Sequence, residues 1–399
     1  MSFLKVRPVV PAVLLIAALG IPAANSANAQ VTYVGRELYP LSGGGYIGSV
    51  ASISPNGQTV GYDENDFAHL WSPPSGAAVN LHPAGFDWSR ALGISGSVQV
   101  GHGGHTASGQ ERAILWNGTA ASAIELHPPG YTWSQAFATD GTHHVGSGSG
   151  PGGGTQALLW TGTSASPVVL NPPGIDDAYL MSLSGSQQGG SGSGPATGNQ
   201  GHAFLWSGTP GSAIDLHPAG FVISECFGVG GTQQVGYGKL APSQDYRAML
   251  WTGSAASAVN LHPNGFSDSL AAGTNGVNQV GNGRGPATGD AVHALLWSGT
   301  AASAVDLHLL LPSGFGFLSS NAVSIDRQGN IFGVAAGSDA YHIVQWTPVP
   351  EPSSLLLLTA GISGLAIRGR FRIRQQGDQL DQRHRRDVWC DQTSGLTSA

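Results

Sequence analysis

Cysteine is almost absent: Cys226 and Cys390 are alone in 399 residues, too few and too far apart for a disulfide framework or a thiolate metal site. Charge is scarce as well, at 10% of residues, and its balance is wrong for nucleic acid. There are 16 Lys+Arg against 23 Asp+Glu overall, and 7 against 18 between residues 30 and 347. With no basic stripe to meet a phosphate backbone, a nucleic-acid partner is excluded. No stretch of the body keeps a 3.6-residue apolar period of useful length, which removes amphipathic helices. GxSxG, HExxH and CxxC strings are missing, and with them the common nucleophile, zinc and redox signatures. Glycine (61 residues) and tryptophan (10) are what the chain has in quantity, and both recur in register.

The register is set by one phrase. "HALLWSGTAASAVDLH" ends at His308, and close copies end at His217 and His262. Aligned on Trp71, Trp116, Trp160, Trp206, Trp251, Trp297 and Trp346, the spacings are 45, 44, 46, 45, 46 and 49 residues. Each of the seven units reads as four short runs, for example "SQAFATD", "HHVGSGS", "QALLWTG" and "SPVVLNP", separated by Gly, Asn, Ser and Pro. Short alternating runs punctuated by turn residues are strands, and four per unit of about 45 residues make a propeller blade. The expected fold is all-β, a seven-bladed β-propeller of four-stranded blades.

The ends of the array supply closure. The seventh unit stops at Pro348, one strand short, while "VGRELYP" at 34–40 matches the fourth run of the other units. An N-terminal strand completing the last blade leaves no bare sheet edge. That alignment sets Tyr39 in line with His82, His127, Asn171, His217, His262 and His308.

A ring of histidines suggests metal, but blades sit about 10 Å apart, and two imidazoles on one zinc need Zn–N distances near 2.0–2.1 Å. The expected role is a crossover hydrogen bond to nearby backbone, since Asn and Tyr substitute. The once-per-blade tryptophans are expected between blades. Trp88 and Trp133 differ, occurring in two units only, beside Phe86 and Tyr131; these four are the candidate carbohydrate-binding patch, through flat aromatic faces. Glu125, Asp215 and Asp306 share one repeat position and read as structural or solvated. Asp63, Glu64 and Asp66 cluster oxygen ligands that could hold Ca²⁺, yet lack the spacing of a calcium loop, and a solvated acidic loop is the alternative. The strings "GSGSGPGGG" and "GSGSGPATG" precede strands, not a helix, so they are loops and not phosphate cradles. No catalytic residue and no cofactor is assigned.

The termini stand apart from the array. Residues 1–29 carry Lys5 and Arg7, an apolar run over residues 13–19, and Ala27-Asn28-Ala29, the layout of a cleaved secretory signal. At the other end Val349-Pro350-Glu351-Pro352 precedes an apolar stretch of 15 residues, 353–367, and then Arg368, Arg370, Arg372 and Arg374. The stretch is shorter than the about 20 residues of an ordinary transmembrane helix, and the arginines would hold it on the cytoplasmic side. These residues resemble the PEP-CTERM sorting signal. That resemblance implies an exosortase as processing partner, transient anchoring in the inner membrane through 353–367, and delivery to the surface or exopolysaccharide matrix of a Gram-negative bacterium. The family usually stops at the arginines, whereas this chain adds a patternless polar tail, 375–399. The units themselves resemble the extracellular HAF-type repeat through "GHAFLW" at 201–206, the variants "HALLW" and "RAILW", and the upstream "NGQTVGY", "SVQVGH" and "TQQVGY". This implies a secreted β-rich repeat protein with no defined activity.

The expected organisation is thus a signal at 1–29, a propeller at 30–347, a sorting segment at 348–374 and a tail at 375–399. The function expected of it is non-enzymatic, in adhesion or glycan binding at the surface or in the exopolysaccharide matrix. The alternatives are a polysaccharide hydrolase or lyase with its site on the propeller axis, and a passive spacer. Whether non-repeated polar residues gather in one cleft separates them.

Overall fold

The computed structural model describes residues 32–41, 50–105, 109–241, 245–338 and 340–349. The signal at 1–29, Pro350-Glu351-Pro352, the stretch at 353–367, the tail and Cys390 lie outside the described residues. Tyr33–Val349 form one compact unit of twenty-eight strands, and no helix among the described residues is long and apolar enough to cross a membrane.

Every repeat unit folds into one antiparallel sheet. The third blade is typical: β10 (Trp133–Thr139), β11 (His143–Ser149), β12 (Gln156–Thr161) and β13 (Val168–Val169) lie side by side in that order. These are the four runs read from the sequence. The first strands of blades one to seven are β2 (Val50–Ile53), β6 (Trp88–Ser95), β10, β14 (Asp177–Ser184), β18 (Ile223–Gly230), β22 (Asp268–Thr274) and β26 (Ser319–Ile325). Seven four-stranded sheets, almost no helix and a shared axis make the fold a seven-bladed β-propeller.

Closure follows the expected route. The seventh sheet runs β1-β28-β27-β26, with β1 (Tyr33–Pro40) paired antiparallel to β28 (Tyr341–Pro348). The closing strand has eight residues where most other fourth strands have two. One detail of the sequence alignment is corrected. A bulge between Glu37 and Tyr39 sets Tyr39 opposite Ile343, the place Leu126 takes opposite Ala113, and sets Pro40 opposite His342. Tyr39 therefore replaces the buried crossover leucine and not the histidine. It is 1% exposed, and its hydroxyl donates to the Gly57 carbonyl at 2.7 Å and lies 2.8 Å from Thr59 Oγ1. The alignment missed a single extra residue, which shifts a strand by one and turns Leu38 toward partial exposure.

The seven repeat tryptophans are all fully buried. Trp160 packs on Val100, Ala113, Leu115 and Leu126 of the preceding blade, and its indole N–H donates to the Leu126 carbonyl at 2.9 Å. Trp346 does the same to Leu307 at 2.7 Å. They are interblade filler, and Cys226 lies in one of these cores with its thiol pushed up to about 12 by burial.

The crossover histidine has a specific task. In the second blade the Ala113 N–H donates to Ser134 Oγ (2.9 Å), the Ser134 hydroxyl faces His127 Nδ1 (2.8 Å), and His127 Nε2 meets the Tyr131 carbonyl (3.2 Å). A carbonyl only accepts, so Nε2 carries the hydrogen and Nδ1 accepts from serine. The relay recurs with His82–Ser89, His217–Ser224, His262–Ser269 and His308–Ser320. Burial lowers the pKa of all five imidazoles, as a neutral relay needs. The exception supports the rule. Where Asn171 replaces histidine, Ala178 replaces serine, and Asn171 Oδ1 itself accepts the Ala157 N–H at 2.8 Å.

Candidate functional site

The first strand of every blade carries a β-bulge, and the seven bulged residues are Ala51, Leu92, Phe137, Met181, Phe227, Ala272 and Val323. All seven line one central cavity of about 340 Å³. A bulge re-aims the extra side chain, and here it produces an apolar collar on the axis. Small residues make room for it. A Cβ on Gly93 would lie 2.7 Å from the Phe137 carbonyl of the next blade, and one on Gly228 would lie 2.7 Å from that of Ala272. The Val-Gly glycine allows a close approach within the blade, since a Cβ on Gly146 would sit 2.0 Å from the carbonyl of Gln135 on the adjacent strand.

On the side of the collar reached by the crossovers, three repeat positions converge between neighbouring blades. They are the residue after the Val-Gly pair, the residue five before the tryptophan, and the residue two before the bulge. Their framework neighbours repeat while these positions do not. Between the first and second blades they hold Tyr62, Asp66 and Arg90; between the second and third, His102, Glu111 and Gln135; in the fifth, Glu225, Tyr237 and Tyr246. Contacts join them. Arg90 lies 4.6 Å over the Tyr62 ring and 5.7 Å from that of Trp88, and pairs with Asp66 at 2.9 Å. His102 stands edge-on to Trp88 at 5.2 Å, with Nδ1 3.5 Å from Glu111 Oε2. Gln135 Nε2 donates to Glu111. The hydrogen bond with His102 heads the causes that lower the Glu111 pKa.

The candidate patch is divided by this geometry. Trp88 and Trp133 begin β6 and β10 and are partly exposed at equivalent places where other blades have Asp177, Ile223, Asp268 and Ser319. Phe86 and Tyr131 fill a position that is apolar or aromatic in all six described crossovers, held by Ile175, Phe221, Phe266 and Phe317 elsewhere. Each packs against a core cluster, and their carbonyls serve the histidine relay. Tyr131 also donates to Gln156. The rim residues Tyr62, Arg90, His102, Glu111, Gln135, Glu225, Tyr237 and Tyr246 were missed by sequence reasoning. The signal that finds them is departure from the repeat at fixed positions, legible once the bulge locates the axis.

The acidic loop is committed to its own turn. Asp63 Oδ1 accepts the Asn65 and Phe67 N–H groups at 2.9 and 3.0 Å, Asp66 adopts φ 61° and pairs with Arg90, and Glu64 is exposed. No group of three or more metal-ligating side chains is present among the described residues. Glu125, Asp215 and Asp306 pair with Arg112, His202 and His293 at 2.7–2.8 Å on the outer strands.

Residues 348–370 match the PEP-CTERM protein-sorting motif, which signals export to the cell surface through exosortase in Gram-negative bacteria. Val349 is its one motif residue among Val349, Pro350, Glu351 and Pro352 that is described, and it is 39% exposed. No curated protein matches the chain. Among solved structures it is similar to a computationally designed protein at 13% identity, covering 77% of this chain and 98% of that one with a TM-score of 0.43. It is also similar to the β-propeller domain of the Trilobed protease from Pyrococcus furiosus, at 9% identity, 75% and 95% coverage and a TM-score of 0.47. A third is a puromycin-hydrolyzing peptidase from Mycobacterium tuberculosis, at 15% identity and a TM-score of 0.44, where 74% of this chain spans 51% of that one. Likenesses this remote bring neither activity nor ligand to this chain.

Proposed function

We propose that the chain is an exported, non-enzymatic protein of the cell surface or exopolysaccharide matrix that binds glycan at the crossover-side mouth of the propeller. The observation that carries this is the gathering of non-repeated aromatic and polar residues at one inner rim: Trp88, Trp133, Tyr62, Arg90, Glu111 and Gln135. Flat aromatic faces beside fixed hydrogen-bonding groups are what a sugar ring needs, and a rigid scaffold presents them without ordering cost. The sorting motif supports export and an exosortase partner. Removal of residues 1–29, a HAF-type propeller over 30–347, anchoring through 353–367 and the tail at 375–399 complete the proposed organisation.

The test is co-sedimentation of the purified protein with the source organism's exopolysaccharide, with reducing and unsaturated ends followed in the same tubes. Binding without new ends supports the reading, and Trp88→Ala and Trp133→Ala then each weaken binding roughly tenfold at unchanged melting temperature. New ends would replace it with a hydrolase or lyase, with Glu111 and Glu225 as the first carboxyls to substitute.

A further inference from the structure

Three blades on from Trp88, the fifth blade carries a carboxyl in an unusual setting. Glu225 on β18 faces Tyr237 directly across the ladder and is hydrogen-bonded to it. The Tyr237 ring stands 5.4 Å from Phe227 of the collar and 4.9 Å from Tyr246, in an edge-on arrangement. Tyr246 is 40% exposed and opens the cluster to solvent. Most carboxylates with buried faces have a basic neighbour: Asp66 has Arg90, Glu111 has His102, Asp268 has Arg284, Asp306 has His293. Glu225 has no ion-pair partner among the described residues, and burial raises its pKa. A half-buried acid bonded to the middle ring of an aromatic row is a costly arrangement without a cation.

The chain itself already places a cation on the outermost of these rings. The Lys239 ammonium lies 5.2 Å over the Tyr246 ring, on the same strand as Tyr237. Ammonium over an aromatic face is attractive, and an acid beside it adds a charge-assisted hydrogen bond.

We infer that Glu225, Phe227, Tyr237 and Tyr246 form a subsite for the ammonium group of an amino sugar, making the ligand a glycan with free amino groups. This rests on the glycan-binding reading and names the sugar class for it. The acidic body agrees: 7 Lys+Arg against 18 Asp+Glu between residues 30 and 347 repel a polyuronate and attract a polycation. Lys239 is then a resident competitor that an incoming ammonium displaces from Tyr246.

The experiment is calorimetric titration of the purified protein with glucosamine oligomers and with N-acetylglucosamine oligomers of equal length, repeated with Glu225→Gln, Tyr246→Ala and Lys239→Ala. The expected result is tighter binding of the free-amine series, a tenfold or greater loss of that preference in Glu225→Gln and Tyr246→Ala, and a several-fold gain in Lys239→Ala. Thermal melts that match wild type show that the variants are folded. Tyr246→Ala removes an exposed ring and serves as the safeguard should Glu225→Gln misfold. Equal binding of the two series, or a preference untouched by both Glu225→Gln and Tyr246→Ala, overturns the amino-sugar subsite and leaves glycan binding standing. Failure of the wild type to bind either series, or the source exopolysaccharide, overturns both.

Discussion

Truncating Tyr39 tests the closure of the ring. Its side chain is 1% exposed and packs with Ile53, Trp71, Phe332, Val334 and Ile343, which belong to the first and seventh blades. Emptying such a site costs about 3–5 kcal/mol. The lost hydroxyl also leaves the Gly57 carbonyl, 2.7 Å away, without that donor, for about 1 kcal/mol more. Tyr39→Ala is thus expected to cost about 4–6 kcal/mol, a large part of the about 5–15 kcal/mol typical of a whole domain. Leu38, one residue earlier, is the bulged and partly exposed position, and Leu38→Ala is expected to cost under about 1.5 kcal/mol. The assay is urea unfolding followed by tryptophan fluorescence, with the slope checked for constancy so that midpoints compare directly. The contrast refutes cleanly. If Leu38→Ala is the expensive change and Tyr39→Ala the cheap one, the strand pairs without its bulge; if both are cheap, β1 does not close the ring.

Other consequences are separately measurable. Asn171→His alone leaves the Ala157 N–H without its 2.8 Å acceptor and is expected to cost about 1–3 kcal/mol. Adding Ala178→Ser rebuilds the relay and should recover most of that loss in the same unfolding assay. The crossover histidines have folded pKa values below their unfolded value near 6.5, so the folded state binds fewer protons than the unfolded one. Their contribution is complete above about pH 6.5 and is lost as pH falls toward the depressed values. The melting temperature should drop over that window, and a flat profile between pH 7 and 5 would contradict the neutral relay. Gly146→Ala drives a Cβ to 2.0 Å from the Gln135 carbonyl and should prevent the blade from closing, lowering the melting temperature by far more than Gly162→Ala. The latter meets no atom within 4 Å and carries only the strain of φ +58°, about 1 kcal/mol.

The repeat made the scaffold readable and concealed the site. Trp160 and its equivalents, the four runs of each unit and the closing strand are periodic, so spacing alone locates them. The bulge is periodic too, yet it leaves little trace in composition. Ala51, Leu92, Phe137, Met181, Phe227, Ala272 and Val323 share nothing but modest apolarity, because an axial cavity tolerates any side chain that fills its share. Without the bulge, Arg90, Gln135 and Glu225 cannot be assigned to the rim. Phe86 and Tyr131 adjoin the two unusual tryptophans in sequence, and in the fold they also pack on the core and offer their carbonyls to the histidine relay. Tyr39 was misplaced for a related reason: a string match counts residues, while a ladder counts hydrogen bonds, and one bulged residue separates the two.

The same geometry explains why diversity gathers on one side. Turns joining first to second strands, and third to fourth, carry Asp140, Asp326 and Arg327 as their only charged residues among those described, and are otherwise small, polar or Pro residues, with Val277 the single larger apolar exception. Gln99, Gln188, Gln234 and Gln279, on the strands that follow the first of those turns, accept the N–H groups of Gly118, Gly208, Gly253 and Gly299 in the second, so sequence there is tied to the fold blade after blade. At the crossover side the relay of histidine and serine uses no side chain at the three rim positions. Arg90 can become Gln135 or Glu225 at one place in the repeat without touching a framework hydrogen bond. A site can therefore be built there one residue at a time, and the aromatic and charged groups found at that rim are where such a site would accumulate.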